Sequence, residues 1–231
     1  QFDDNYIQRG TYDKSDKEML LAIDDRYEIQ MARMGASAFP IENRIYEANE
    51  AIKELFKDKR FIKDPPLNYL LEKTYQRLIH SNRLECTPGS LFLLRSPVVN
   101  AASSIEGSII FTTGLLSILD NESELAFVVA HELAHYERNH AAIKLLGAKE
   151  SNIEAETGRL LGKTLKGKVR VKRIKEIIDS NYESSRFGRQ IEIEADSLAV
   201  LFLDKAGYNT KSAETALDKL DLREDVWPIL G

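Results

Sequence analysis

The apolar segment from Asn121 to His140 places the strongest constraint on how this chain folds. Asn121 with a glutamate three residues later is typical of a helix N-terminus. Within this predicted helix the chain carries His131, Glu132 and His135. Because positions four apart share one helix face, both imidazoles can reach a single cation, as in helix-borne zinc sites. Glu132 lies about 100° around the helix axis from His131, so it can face a water on that cation without binding it.

An acidic pair further along the chain, Glu192 and Asp196, provides the remaining ligand that an open zinc site needs. The two carboxylates are also four residues apart, on a predicted helix running from about Glu183 to Lys205 and ending before Gly207. One carboxylate can bind the metal while the other accepts the N–H of a ligating imidazole. Glu194, between them, is expected to point elsewhere.

A His-Glu-x-x-His pattern also occurs by chance on the surface of helices, so the pattern alone does not establish a metal site. Here the neighbouring residues are apolar, which predicts a largely buried helix: Phe127, Val128, Val129, Ala130, Leu133 and Ala134. Burying two histidines and a glutamate without partners costs free energy. A bound metal ion is therefore the better explanation.

Composition excludes several classes of protein. The 231 residues carry 43% apolar and 30% charged side chains, which argues for a folded core and against global disorder. The net charge of −5 argues against a dedicated nucleic-acid binder. A single cysteine, Cys86, excludes an intramolecular disulfide and a four-cysteine zinc site. The longest uncharged run, Gly107 to Leu119, is too short for a transmembrane helix, and the first residue, Gln1, suggests a processed or trimmed chain.

The remaining pattern predicts an α+β fold, mostly helical, with a small sheet beside the zinc helix. Helical periodicity covers Met19 to Gly35, Ile41 to Phe56 and Leu67 to about Leu84. A short apolar run, Leu91 to Leu94, predicts a buried strand. Asp64 followed by two prolines is the sharpest break, so we expect an N-terminal helical extension over residues 1–64 and a main domain over residues 65–231.

The spacing of His131 to His135 followed by Glu192 to Asp196 resembles the HtpX and CAAX-prenyl-endopeptidase group of zinc metallopeptidases, family M48, closest to its soluble BepA type. Other elements match this resemblance, which covers roughly Pro66 to Leu222: Pro97 to Ala101, Gly107 to Leu116, Arg138 to His140 and Ala206 to Tyr208. BepA-type proteins have a further histidine downstream that can reach the metal. This chain has no histidine after Glu192. The resemblance therefore does not extend to a form of gating in which such a histidine binds the metal and holds the enzyme shut.

The resemblance implies a gluzincin-like endopeptidase that uses one Zn²⁺ per chain to hydrolyse peptide bonds of unfolded or misassembled proteins. By position, His131, His135 and Glu192 are the implied zinc ligands, Glu132 the general base, and Asp196 the partner of a ligating histidine. Family analogy also implies an extracytoplasmic location, in the periplasm or cell envelope. The alternative is a zinc-containing holdase or assembly factor with little proteolysis, against which the intact Glu132 counts.

A broadly acting protease needs contacts that every peptide offers, and backbone hydrogen bonds to an exposed strand supply them. The best candidate is the β-branched run bounded by glycines, Ser108, Ile109, Ile110, Phe111, Thr112 and Thr113. We expect this run to form an edge strand beside the zinc that binds substrate. Its alternation places Ile109 and Phe111 on one face, with Ile110 and Thr112 on the other.

Other residues that could carry chemistry have simpler interpretations. His140 lies about 180° from His131 on a regular helix and is expected to be a cation near the last helical carbonyls. His80 and Cys86 are expected to be an ordinary, partly exposed histidine and an inert thiol. The basic run over residues 163–175 is expected to be a solvated face, with peripheral contact to anionic lipid as the alternative. The donor that stabilises the oxyanion stays open among Tyr136, Tyr182, Arg186 and Arg189.

Overall fold

A computed structural model of the protein describes residues 15–35, 42–84, 89–141 and 186–224. Within these ranges the chain is mostly helical with a four-stranded mixed sheet, in agreement with the α+β prediction. The elements in chain order are α1 (Asp16–Met34), α2 (Glu42–Lys57), β1 (Phe61–Ile62), α3 (Pro65–Asn82), β2 (Leu91–Leu94), β3 (Ala101–Ser103), β4 (Ile109–Thr112), α4 (Thr113–Leu116), α5 (Glu122–Glu137), α6 (Arg186–Lys205) and α7 (Ser212–Glu224). None of the helices in the described ranges is long and apolar enough to cross a membrane.

Local sequence explains where the main helices begin. At α1, Ser15 accepts from the backbone N–H of Glu18 and the Glu18 carboxylate accepts in return. At α3, the Asp64 carboxylate caps the helix ahead of two prolines, whose missing N–H groups cost nothing in the first turn. At α5, the Asn121 side chain accepts from two backbone N–H groups. The start of α5 is where the sequence predicts it, whereas α1 begins three residues before the predicted Met19 and α3 two residues before the predicted Leu67.

The sheet has the strand order β1-β2-β4-β3. β2 and β4 are parallel, with Leu91 opposite Ile109 and Leu93 opposite Phe111, whereas β1 and β3 pair antiparallel to their neighbours. β4 is therefore a central strand that is paired on both sides. The prediction that this run is an exposed edge is wrong. Ser108 precedes the strand and Thr113 already belongs to α4.

Both faces of the sheet are covered. Ile109 and Phe111 lie in the main core with Leu91, Leu93 and residues of α3 and α5. Ile110 lies on the opposite face, as the alternation predicts, and packs with Phe92 against apolar residues of α1 and α2: Met19, Ile23, Ile52 and Phe56. A strand buried on both faces carries no polar side that would distinguish it from an edge strand in the sequence.

The N-terminal helices thus pack on the sheet, and β1, which precedes Pro65, pairs with β2. A salt bridge adds to this contact: Arg26 on α1 donates to Glu106, 2.9 Å away, in the turn between β3 and β4. The predicted division at residues 64 and 65 remains a prediction.

A candidate metal centre between α5 and α6

Two adjacent helices bring the predicted metal ligands together. α5 packs closely against α6, and both histidines of α5 face α6 one helical turn apart. His135 is buried and His131 is largely buried, whereas the Glu192 side chain remains 38% exposed. The centre is therefore buried on the α5 side and partly exposed to solvent on the α6 side.

Three ligand atoms form a tight triangle. The Nε2 atoms of His131 and His135 are 2.9 Å apart, and Oε2 of Glu192 lies 3.4 Å and 3.2 Å from them. Two ligands of a tetrahedral zinc are about 3.3 Å apart when each bond is about 2.0–2.1 Å long. The triangle matches one face of such a tetrahedron, and its nitrogen and carboxylate donors suit zinc. The residues present therefore fit the metal that the sequence predicts.

The surroundings of His131 favour positive charge. Its Nδ1 lies 2.8 Å from Oδ1 of Asp196, so the carboxylate can accept the imidazole N–H. Burial alone would lower the pKa of His131, but hydrogen bonds with Asp196 and Glu192, together with the nearby Glu132 charge, raise it to about 10. The carboxylates thus more than offset the desolvation of a cationic group, and a metal ion can take the place of that proton.

Glu132 follows His131 on α5. It is buried, with 8% of its surface exposed, and its charge acts on the adjacent His131. It contributes no atom to the ligand triangle found in the described part of the chain. A buried carboxylate beside a metal position, but outside its ligand set, is suited to accept a proton from a water molecule there.

His140 lies in a different place from the one that the sequence predicts. α5 ends at Glu137, and the chain turns through Asn139, which has φ 54°. His140 is consequently buried, and its Nδ1 is 3.0 Å from Nδ1 of His135. The prediction placed His140 beside the last helical carbonyls because it assumed that the helix continued, whereas the ring contacts His135 and Glu194. Asn139, a residue that tolerates the left-handed conformation, was the sequence signal for the turn.

Within the described part of the chain, the edge strand of the sheet next to α5 is β3 rather than β4. β3 packs next to α5 and, among the described residues, pairs only with β4. The Ser104 N–H donates to the Ser108 carbonyl and the Thr112 N–H donates to the Asn100 carbonyl. These two bonds show which residues of β3 form hydrogen-bonded pairs with β4. Because hydrogen-bonded pairs alternate in antiparallel sheets, the N–H and C=O groups of Ala101 and Ser103 face the open side.

Of the other residues considered from the sequence, only some lie in the part of the chain that the structure describes. His80 is exposed, as expected. Tyr136 is buried, and its ring stands near Gly107 and below the Arg33 guanidinium. Tyr182, Cys86 and the basic run over residues 163–175 lie outside the described residues, as do the side chains of Arg186 and Arg189.

Comparison with known proteins identifies relatives of this chain. The sequence model described as Peptidase family M48 matches residues 67–223. The beta-barrel assembly-enhancing protease of Escherichia coli (strain K12) is 26% identical over 212 residues, which cover 82% of this chain and 40% of that protein. The mitochondrial metalloendopeptidase OMA1 of Arabidopsis thaliana is 28% identical over 143 residues, covering 61% of this chain and 27% of that protein.

A second OMA1 metalloendopeptidase, from Schizosaccharomyces pombe (strain 972 / ATCC 24843), is 23% identical over 184 residues. The alignment covers 77% of this chain and 52% of that protein. The chain therefore spans between about a quarter and a half of the length of these relatives.

Proposed function

The chain belongs to peptidase family M48, and we propose that it is a zinc-dependent endopeptidase that hydrolyses peptide bonds of unfolded or misassembled proteins. The observation that carries this proposal is the triangle of His131, His135 and Glu192, with Glu132 buried beside it. The third ligand, Glu192, lies on a different helix from the two histidines, which supports a gluzincin-like arrangement of the centre.

Each residue of the centre has a role that follows from its contacts. When bound, zinc lowers the pKa of a water ligand and polarises the scissile carbonyl. Glu132 accepts the proton of the attacking water and delivers it to the leaving amine. Asp196 accepts the Nδ1–H of His131, which keeps the Nε2 lone pair of that ring directed at the ligand triangle.

Substrate binding is proposed at β3. An extended peptide that pairs with the open side of β3 would bond to the backbone groups of Ala101 and Ser103 and run alongside α5. Such contacts are independent of the substrate's side chains. This mode of binding is therefore consistent with a protease that accepts many unfolded sequences.

The location and the natural substrates follow from analogy. Several relatives are named beta-barrel assembly-enhancing proteases, which links those proteins to β-barrel assembly. We place this chain outside the cytoplasm by the same analogy and expect misassembled envelope proteins among its substrates.

The decisive experiment compares the parent protein with Glu132→Gln. Gln is isosteric and Glu132 is not a ligand, so the variant should retain one zinc per chain by elemental analysis. Its cleavage of a fluorescently labelled unfolded protein should fall by about 10²–10⁴-fold, because the amide cannot accept the proton. Glu47→Gln, which alters an exposed glutamate on α2, should cleave at the parent rate.

Three results would contradict the proposal. Absence of zinc after purification in zinc-replete buffer would remove the metal centre. Equal cleavage by the parent and by Glu132→Gln would exclude Glu132 as the base. A parent protein that binds zinc and suppresses aggregation of an unfolded protein, without cleaving it, would instead identify a holdase.

A further inference from the structure

Each of the two histidine ligands uses both ring nitrogens. The Nε2 atoms of His131 and His135 belong to the ligand triangle, so their Nδ1 atoms face away from it. Nδ1 of His131 meets Asp196, the partner expected from the sequence. Nδ1 of His135 meets Nδ1 of His140 at 3.0 Å, with the two rings inclined at 75°. The second contact has no counterpart in the sequence-based interpretation.

The position of His140 is held from two helices. In the turn that follows α5, Asn139 accepts a hydrogen bond of 3.2 Å from Gln30 on α1. Arg138 donates to Oε1 of Glu194 on α6, 3.0 Å away, and Oε2 of the same carboxylate lies 3.6 Å from Nε2 of His140. His140 itself is only 2% exposed. The ring is thus fixed between α1, α5 and α6.

The arrangement determines where the protons lie. A metal bound through Nε2 of His135 requires the proton of that ring to be on Nδ1. Only one proton fits between the two Nδ1 atoms, so His140 must accept it and carry its own proton on Nε2. That N–H then faces the negative charge of Glu194. The three groups therefore favour one tautomer at both histidines.

We propose that His140 is a positioning residue for the metal ligand His135. By accepting its Nδ1–H, His140 orients the imidazole and makes it a better ligand, as Asp196 does for His131. This inference rests on the proposed zinc centre. It adds a residue that neither binds the metal nor touches the substrate.

The test uses an isosteric pair of variants, His140→Asn and His140→Leu. Both remove the same ring volume, but only Asn retains an acceptor near the position of Nδ1. Zinc affinity is measured at constant pH by competition with a chelator. His140→Leu should bind zinc about 10–100-fold more weakly than the parent, whereas His140→Asn should recover most of that loss. His80→Leu, which removes an exposed histidine from α3, should match the parent.

Thermal unfolding of the metal-free variants separates positioning from packing. The Asn and Leu variants should unfold at similar temperatures without zinc, while added zinc should raise the unfolding temperature of the Leu variant less. Equal zinc affinity of the two variants would overturn the proposal. If His140→Leu does not fold, ¹H–¹⁵N spectra of the zinc-bound parent decide: a proton on Nε2 of His135, rather than on Nδ1, would also overturn it.

The outcomes distinguish this inference from the proposed function. A parent that binds no zinc removes both. A parent that binds zinc and loses activity in Glu132→Gln, but tolerates His140→Leu without loss of zinc affinity, retains the proposed function and refutes the role of His140.

Discussion

At the scale of single residues, the centre combines burial with an excess of negative charge. His131 is largely enclosed, yet the carboxylates of Asp196, Glu192 and Glu132 around it raise its pKa to about 10. An isolated buried histidine would show the opposite shift. A cluster that stabilises a cation this strongly is suited to a divalent metal ion.

The partner of His131 should matter for metal affinity. Asp196→Ala removes the acceptor of the Nδ1–H, so we expect zinc affinity to fall by about 10–100-fold in chelator competition. Asp196→Asn retains an acceptor oxygen without the charge, so its zinc affinity should lie between those of the parent and of Asp196→Ala. Asp204→Ala, an exposed position on the same helix, serves as the control. Unchanged affinity in Asp196→Ala would show that the 2.8 Å contact does not support the ligand.

At the scale of elements, the short strand β3 lies at the contact between the sheet and α5. It lies beside α5, pairs with β4 on one side, and offers the backbone groups of Ala101 and Ser103 on the other. An unpaired strand edge also favours unwanted pairing between chains, and three residues are short enough to limit that risk. The length of β3 thus suits a site for transient binding of peptides.

Proline substitution tests the open edge directly. Ser103→Pro removes an N–H that faces away from β4, which an edge strand tolerates. We expect an increased KM for an unfolded substrate with unchanged zinc content, while Ser103→Ala, which retains the N–H, should resemble the parent. Ala102→Pro, at a position paired with Ile110, should instead destabilise the fold. An unchanged KM in a correctly folded Ser103→Pro protein would exclude β3 as the substrate strand.

At the scale of the whole molecule, α1 links the outer face of the sheet to the metal centre. Its apolar residues cover Phe92 and Ile110, and its Gln30 reaches the turn that presents His140. Arg26 on the same helix pairs with Glu106, whose side chain is 3% exposed and also accepts from Ser104. These contacts make α1 part of the support for the centre.

Loss of the Arg26 charge should destabilise the protein because it leaves Glu106 buried without its cation. We expect Arg26→Met to lower the free energy of unfolding by about 3–5 kcal/mol in denaturant titrations. The double variant Arg26→Met/Glu106→Gln should recover part of this loss. Lys63→Met, which breaks an exposed pair with Asp16, should cost less than about 1 kcal/mol. Equal losses at the buried and the exposed pair would contradict this prediction.

The sequence by itself determined the parts of this protein that depend on local spacing. The caps at Asp64 and Asn121, the apolar helix, and the four-residue spacing of the histidine and carboxylate pairs all act within one element. Helical geometry converts each spacing into a shared face without reference to the rest of the chain. For this reason the grouping of His131, His135 and Glu192 could be predicted before the fold was known.

Only the tertiary structure decided how the elements lie next to one another. The run from Ile109 to Thr112 is a strand, as predicted, but its central place depends on pairing with β2 and β3, which hydrophobic alternation does not encode. The contact of His140 with His135 likewise required the helix to end at Glu137 and two other helices to hold the turn. Strand order and helix ends arise from non-local packing, so spacing along the chain could not reveal them.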